Sequence, residues 1–236
     1  MNKRFYAVAM SAILLAGCGG LAASPEEVRV QQQVSEADLI AVQQAVDAFK
    51  AETSVLPIKT TEHDTNVYIK YLLDFQKLVP KHLVNTPDNA YERGGIYQYV
   101  LYDVENNPTV KLVDLHAAER IREINLRVFV QKYPAFGEQV TPYIYTLDYE
   151  KMGLDELTVP SPYSATHLPL LVTTTGEPIV DYRIDFQRLV DEGVIKAAPG
   201  DDVQQLVAEQ MNVLPAYSVP YTVDENGDVI FMYDGQ

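Results

Sequence analysis

Four histidines and one cysteine are the side chains best equipped for metal or nucleophilic chemistry in this chain, and their spacing argues against both. His63, His82, His116 and His167 are scattered, with no pair at His-x-x-x-His separation, and Cys18 stands alone. The nitrogen and sulfur set that zinc takes is therefore not assembled locally. Glu62, His63 and Asp64 form the densest group, in a polar stretch that reads as a solvated loop. Asp224-Glu225-Asn226-Gly227-Asp228 places oxygen donors close together, as a calcium loop does. Its acidic positions do not follow an EF-hand, however, and no glutamate closes it at the twelfth position. A β-turn accounts for its Asn-Gly pair. No Gly-x-Ser-x-Gly elbow and no Ser-x-x-Lys arrangement is present. Gly94-Gly95 leads into a strand rather than a helix, so it is not a phosphate loop. Acidic residues are plentiful, but nothing selects a glycosidase pair among them. The reading is of a non-enzymatic protein with no metal and no cofactor.

The placement of Cys18 is informative in another way. Lys3 and Arg4 form a short positive region, Phe5 to Leu15 is apolar, and Ala16 and Gly17 are small. This is the layout of a secretory signal, with an apolar run too short to span a bilayer. Leu15-Ala16-Gly17-Cys18 resembles the lipobox of bacterial lipoproteins. That resemblance implies a diacylglycerol thioether on Cys18, cleavage after Gly17, and a membrane partner reached through the lipid. Two acyl chains, at about 0.8 kcal/mol per buried CH₂, anchor stably where one is marginal. With the cysteine so used, no disulfide forms and packing alone must hold the fold.

About 219 residues follow the signal, enough for one large domain or two small ones. Removing Lys3 and Arg4 leaves 16 basic residues against 33 acidic, a formal charge of −17. Such a chain is repelled by nucleic acid and by anionic headgroups, which excludes nucleic-acid binding and predicts an ectodomain held off the bilayer. Residues 18–34 read as a lipidated N-terminus and flexible tether reaching roughly 20–25 Å.

Three helices should position whatever follows. Ser35 with Asp38 has capping-box spacing, and Leu39, Val42, Val46 and Phe49 mark one face of a helix that ends near Ser54, before Val55-Leu56-Pro57. A second helix is expected from Asp114 to about Lys132, with Leu115, Ala118, Ile121, Ile124 and Val128 inward. A third is expected from Asp201 to about Asn212, with Val203, Leu206, Val207 and Met211 inward, before Val213-Leu214-Pro215. Hairpins are expected over Ile96–Leu101 with Thr109–Val113, Leu170–Val172 with Ile179–Ile184, and Tyr221–Val223 with Val229–Tyr233. The last is the strongest, since its Asn-Gly turn accepts positive φ at both positions.

A further piece recurs: Leu73-Asp74-Phe75-Gln76-Lys77-Leu78-Val79, Leu147-Asp148-Tyr149-Glu150-Lys151-Met152, and Ile184-Asp185-Phe186-Gln187-Arg188-Leu189-Val190. The order of acid, aromatic, polar, basic and apolar residues suggests duplication. It contains nothing reactive and reads as an aromatic and an aliphatic side chain packed into each unit. The expected fold class is α+β: two or three related helix-plus-antiparallel-hairpin modules behind a lipid anchor and tether. The divisions are 1–17 signal peptide, 18–34 tether, 35–114 first module, 115–184 second, and 185–236 a partial third, whose acid–aromatic piece precedes its helix.

Tyrosine is the unusual residue type, with 16 copies beside no tryptophan. Tyr97, Tyr99, Tyr102, Tyr143, Tyr145 and Tyr221 cluster at the hairpins, and Tyr97 and Tyr99 share one strand face. On exposed sheets they would form a contact surface for a protein or an envelope component; strands also favour aromatics for packing. A second functional reading is a small-molecule or ion-binding lipoprotein serving a transporter, which needs a cleft between modules.

Taken whole, the chain resembles YphF-like lipoproteins of Bacillus-type bacteria. The resemblance rests on the lipobox, the Val55-Leu56-Pro57 stop, Asp74-Phe75-Gln76-Lys77-Leu78 and Asn107-Pro108-Thr109-Val110-Lys111-Leu112. It implies the outer face of a single cell membrane and carries no activity, so Cys18 alone takes a role from it.

Overall fold

The computed structural model describes residues 34–62, 65–232 and 235. The signal segment, Cys18 and the tether up to Gln33 lie outside these residues, as do His63, Asp64 and Tyr233. Ser35 accepts a hydrogen bond from the Asp38 N–H at 3.2 Å and starts α1 (Glu36–Thr53). Ser54, in the left-handed conformation, closes it. Leu39, Val42, Ala45 and Val46 are its buried face. Two single-turn helices follow, α2 (Val67–Lys70) and α3 (Phe75–Leu78), capped by the side chains of Asn66 and Asp74. The antiparallel pair β1 (Tyr97–Tyr102) and β2 (Thr109–Asp114) then runs in register from Tyr97↔Asp114 to Tyr102↔Thr109. Gly95 precedes β1 because a Cβ there would sit 2.1 Å from the Asn89 backbone.

Asp114 ends β2 and caps the next helix, α4 (Leu115–Gln131). Beyond it lie β3 (Phe136–Thr141), β4 (Ile144–Leu147), α5 (Tyr149–Met152), β5 (Thr158–Pro160), β6 (His167–Thr173) and β7 (Pro178–Val180). These strands make one five-stranded antiparallel sheet in the order β3-β4-β6-β5, with β7 also on β6. The chain continues through α6 (Arg183–Asp191), α7 (Val203–Gln210) and the hairpin β8 (Tyr221–Val223) with β9 (Val229–Phe231). The helices, the antiparallel hairpins and the sheet make the fold α+β.

Strand and helix divide differently from expectation between Ile179 and Ile184. β7 stops at Val180, and Asp181 accepts from the Arg183 N–H at 3.1 Å, turning the chain into α6. The acid–aromatic piece therefore begins a nine-residue helix here. In its first two copies the acid caps a single turn: Asp74 accepts from the Gln76 N–H and Asp148 from the Lys151 N–H. The packing is shared by all three copies. Phe75 with Leu78, Tyr149 with Met152, and Phe186 with Leu189 each turn inward three residues apart. The β3–β4 hairpin, whose alternation Gly137 and Pro142 interrupt, and the three-residue β5 complete the sheet without having been expected.

Two hydrophobic cores result. The first gathers α1, α3 and one face of the β1–β2 pair: Tyr97, Tyr99, Leu101, Val110 and Leu112. The second runs from Ala117 to Val229, so residues 115–184 and 185–229 pack into one core. The other face of β1–β2 joins them, with Val100 and Val113 against Ala208, Leu214 and Ala216. Backbone bonds reinforce this seam, from Leu112 N to Asn212 O at 2.9 Å and from Leu214 N to Leu112 O at 2.7 Å. Lys111 is buried there and donates to the Glu209 and Met211 carbonyls at 3.0 and 2.8 Å, at the C-terminal end of α7. Carbonyls at a helix C-terminus carry partial negative charge and suit an ammonium.

Candidate binding surface

The six hairpin tyrosines separate by burial. Tyr97, Tyr99 and Tyr221 are core residues and offer no surface, contrary to their expected role. Tyr97 and Tyr99 are buried because β1 is covered on both faces, by α1 on one side and by the seam on the other, and Tyr221 packs into the second core against Phe186. The Tyr99 hydroxyl donates to Asn89 Oδ1 at 2.8 Å, and that of Tyr221 donates to the Val180 carbonyl at 3.1 Å while accepting from the Tyr182 N–H. Burial pushes the Tyr97 hydroxyl up to about 12, which keeps it protonated. Tyr102 is half-buried, its ring stacked on Tyr68 at 6.2 Å.

Tyr143 is exposed and Tyr145 is half-buried against the second core, and both belong to the β3–β4 hairpin. Tyr145 meets Phe136 edge to face at 5.2 Å, and Phe136 to Gln139 are exposed. Among the described strands β3 pairs with β4 alone, at the end of the sheet. Its register shifts on either side of Gln139. The Thr146 hydroxyl serves the irregular part, accepting from the Glu138 N–H at 2.8 Å. Gly137 makes room for it, because a Cβ there would sit 2.5 Å from that hydroxyl oxygen. A bulged edge pairs poorly with another strand, so this hairpin presents aromatic side chains rather than a free ladder.

A groove of about 840 Å³ runs along α6, lined by His167, Asp181, Arg183, Arg188, Asp191 and Asp228 among others. It is wide open and mixed in sign, and its cations are engaged. Arg183 grips Asp181 with contacts of 2.9 and 2.6 Å and lies over the Phe231 ring. Arg188 donates to the Tyr163 carbonyl at 2.6 Å and pairs with Glu192 at 3.1 Å. A charged ligand would have to displace these partners. Behind it, buried Asp185 accepts from the Ser161 and Ser164 hydroxyls at 2.7 and 2.8 Å, which closes the Ser161–Thr166 loop.

The described histidines stay apart. His82 meets Glu52 at 3.3 Å, His116 meets Asp114 at 2.8 Å, and His167 borders the groove. Asp224 spends its carboxylate on its own turn, accepting from the Asn226 and Asp228 N–H groups. Among the described residues no three His, Cys, Asp or Glu side chains converge to hold a metal ion, and no helix is long and apolar enough to cross a membrane.

One surface lies outside the sequence expectations. Besides its inward face, α4 carries a second apolar stripe on the opposite side, Leu126, Phe129 and Val130, continued by Tyr133 just past its end. These four are 64, 69, 66 and 62% exposed. Their spacing of i, i+3, i+4 and i+7 was legible, but the inward stripe of the same helix satisfied the pattern first. Arg120, Arg122, Arg127 and Lys132 stand around the stripe, all four exposed. Arg120 bonds Glu123 at 3.2 Å, and the Lys132 ammonium sits 4.3 Å from the Phe129 ring centre.

Residues 35–114 match the model of the YphF family N-terminal domain. The match begins at the cap of α1 and ends at the last residue of β2, covering the elements of the first core and stopping before α4. No curated protein and no solved structure matches the chain.

Proposed function

We propose that this chain is a lipid-anchored lipoprotein of the extracytoplasmic membrane face, in a single-membrane cell of the Bacillus type. It works by binding a protein or envelope component and not by turnover. The anchor is the lipid on Cys18, and the working surface is the β3–β4 hairpin. One observation carries the assignment of surface: Phe136 and Tyr143 are aromatic and exposed on an edge hairpin, with half-buried Tyr145 against Phe136, while Tyr97, Tyr99 and Tyr221 are packed inward. Tyrosine and phenylalanine offer large contact area with few torsions to freeze, which suits recognition. The open, internally paired groove along α6 favours this reading over a small-molecule carrier, whose ligands are mostly enclosed.

The test is photo-crosslinking in intact cells, with the full chain carrying a photoreactive residue at Tyr143 or, as control, at exposed Val84. A discrete adduct is expected at position 143 alone, weakened by Phe136→Ala. Identical adducts at both positions, or an adduct indifferent to Phe136→Ala, would contradict the assignment.

A further inference from the structure

We infer that the outer face of α4 is a docking surface for an anionic phospholipid bilayer. The observation is a juxtaposition. Leu126, Phe129, Val130 and Tyr133 form an exposed apolar stripe, and Arg120, Arg122, Arg127 and Lys132 stand around it. The whole chain carries 33 acidic residues against 18 basic, yet residues 115–133 hold four basic side chains and two acidic, Glu119 and Glu123. Glu123 is occupied by Arg120, which leaves Arg122, Arg127 and Lys132 against Glu119, a net positive set. A net charge of −15 predicts repulsion from anionic lipid, but a surface responds to the charges within about a Debye length, roughly 8–10 Å, and those beside the stripe are mostly cationic.

Apolar residues that enter the acyl boundary while flanking cations meet headgroup phosphates are the pattern of an interfacial helix. Tyrosine at the end of such a stripe matches the depth at which aromatic rings settle, with one end apolar and one wet. A second copy of this chain is a poorer occupant, because pairing two such faces brings like charges together.

Proximity follows from the anchored reading above, and the inference rests on that reading for this alone. Fifteen residues lie between Cys18 and Val34, at most about 55 Å of extended chain. A tether of that length turns docking into an intramolecular event at an effective concentration on the order of millimolar, so a weak face suffices.

The chain contains no tryptophan, so Phe129→Trp supplies a single reporter at an exposed position, with Val84→Trp as the remote control. Each full-length chain is reconstituted into vesicles of phosphatidylcholine, with or without about 30% phosphatidylglycerol, and lipids brominated on their acyl chains serve as quenchers. The inference predicts that emission from the Phe129→Trp chain shifts to the blue and is roughly halved by brominated lipid in phosphatidylglycerol vesicles. The effect should fall with salt and vanish in the Arg122→Glu/Arg127→Glu/Lys132→Glu background. Emission from the Val84→Trp chain should be unaffected. An unquenched reporter at position 129 in vesicle-bound protein would overturn the inference, as would equal quenching in phosphatidylcholine alone. A blue shift without vesicles that grows with protein concentration would also overturn it, in favour of a second copy. Failure of the anchor registers separately, as chain that does not float with the vesicles.

Discussion

Asp114 ends β2 and caps α4, and His116 binds the same carboxylate from the first turn of that helix, Nδ1 to Oδ1 at 2.8 Å. The hydrogen bond to Asp114 is the main reason that the His116 pKa is raised above 6.5, with partial burial opposing it. Protonated imidazole is thus favoured in the folded state. Its contribution to stability is complete below pH 6.5 and is lost as pH rises through the raised folded value. The expectation is that wild type melts above His116→Asn in mild acid, and that the difference shrinks as pH rises beyond about 6.5. Thermal unfolding at a series of pH values checks this; a gap that widens with pH would contradict it. The proximity of His116 to Asp114 was readable from chain order, but the shared carboxylate was not, because it requires the strand to end where the helix is capped. Tyrosine burial escaped for a similar reason. Tyr97-Gln98-Tyr99-Val100-Leu101-Tyr102 carries apolar or aromatic residues on both faces, and a two-residue period says which side chains share a face, not which face is covered.

At the scale of elements, α1 and α4 were legible nearly to the residue because their caps are local. Ser35, Ser54, Asp114 and Lys132 bond within about a turn of themselves. The β1–β2 and β8–β9 hairpins were legible from their turns. The β3–β4 hairpin was not, and it carries the candidate surface; its irregular register depends on the Thr146 hydroxyl, eight residues from Glu138. The seam between the cores was equally hidden, since Lys111 reaches carbonyls about a hundred residues away. Lys111→Met should remove those two bonds while keeping the stem, and leave both carbonyls without that donor. The expected loss is about 1–3 kcal/mol of unfolding free energy, read as a lower urea midpoint. An unchanged midpoint would mean that the ammonium adds nothing to the join.

At the scale of the molecule, composition described an average that the fold does not distribute evenly. A strongly acidic chain places four cations around one apolar helix face, and a tyrosine-rich chain hides much of its tyrosine in two cores. The match to residues 35–114 falls on the first core, whereas the candidate hairpin and the second stripe of α4 belong to the part of the chain beyond it. Both surfaces are given their setting by the proposed anchor, so the most direct test is the intact mass and location of the chain recovered from cells. Wild type should fractionate with membranes and begin at Cys18, its mass increased by a diacylglycerol thioether, while Cys18→Ala should lose both the lipid mass and the membrane. A mature chain that begins elsewhere, or a Cys18→Ala chain that stays with the membrane as wild type does, would contradict the account.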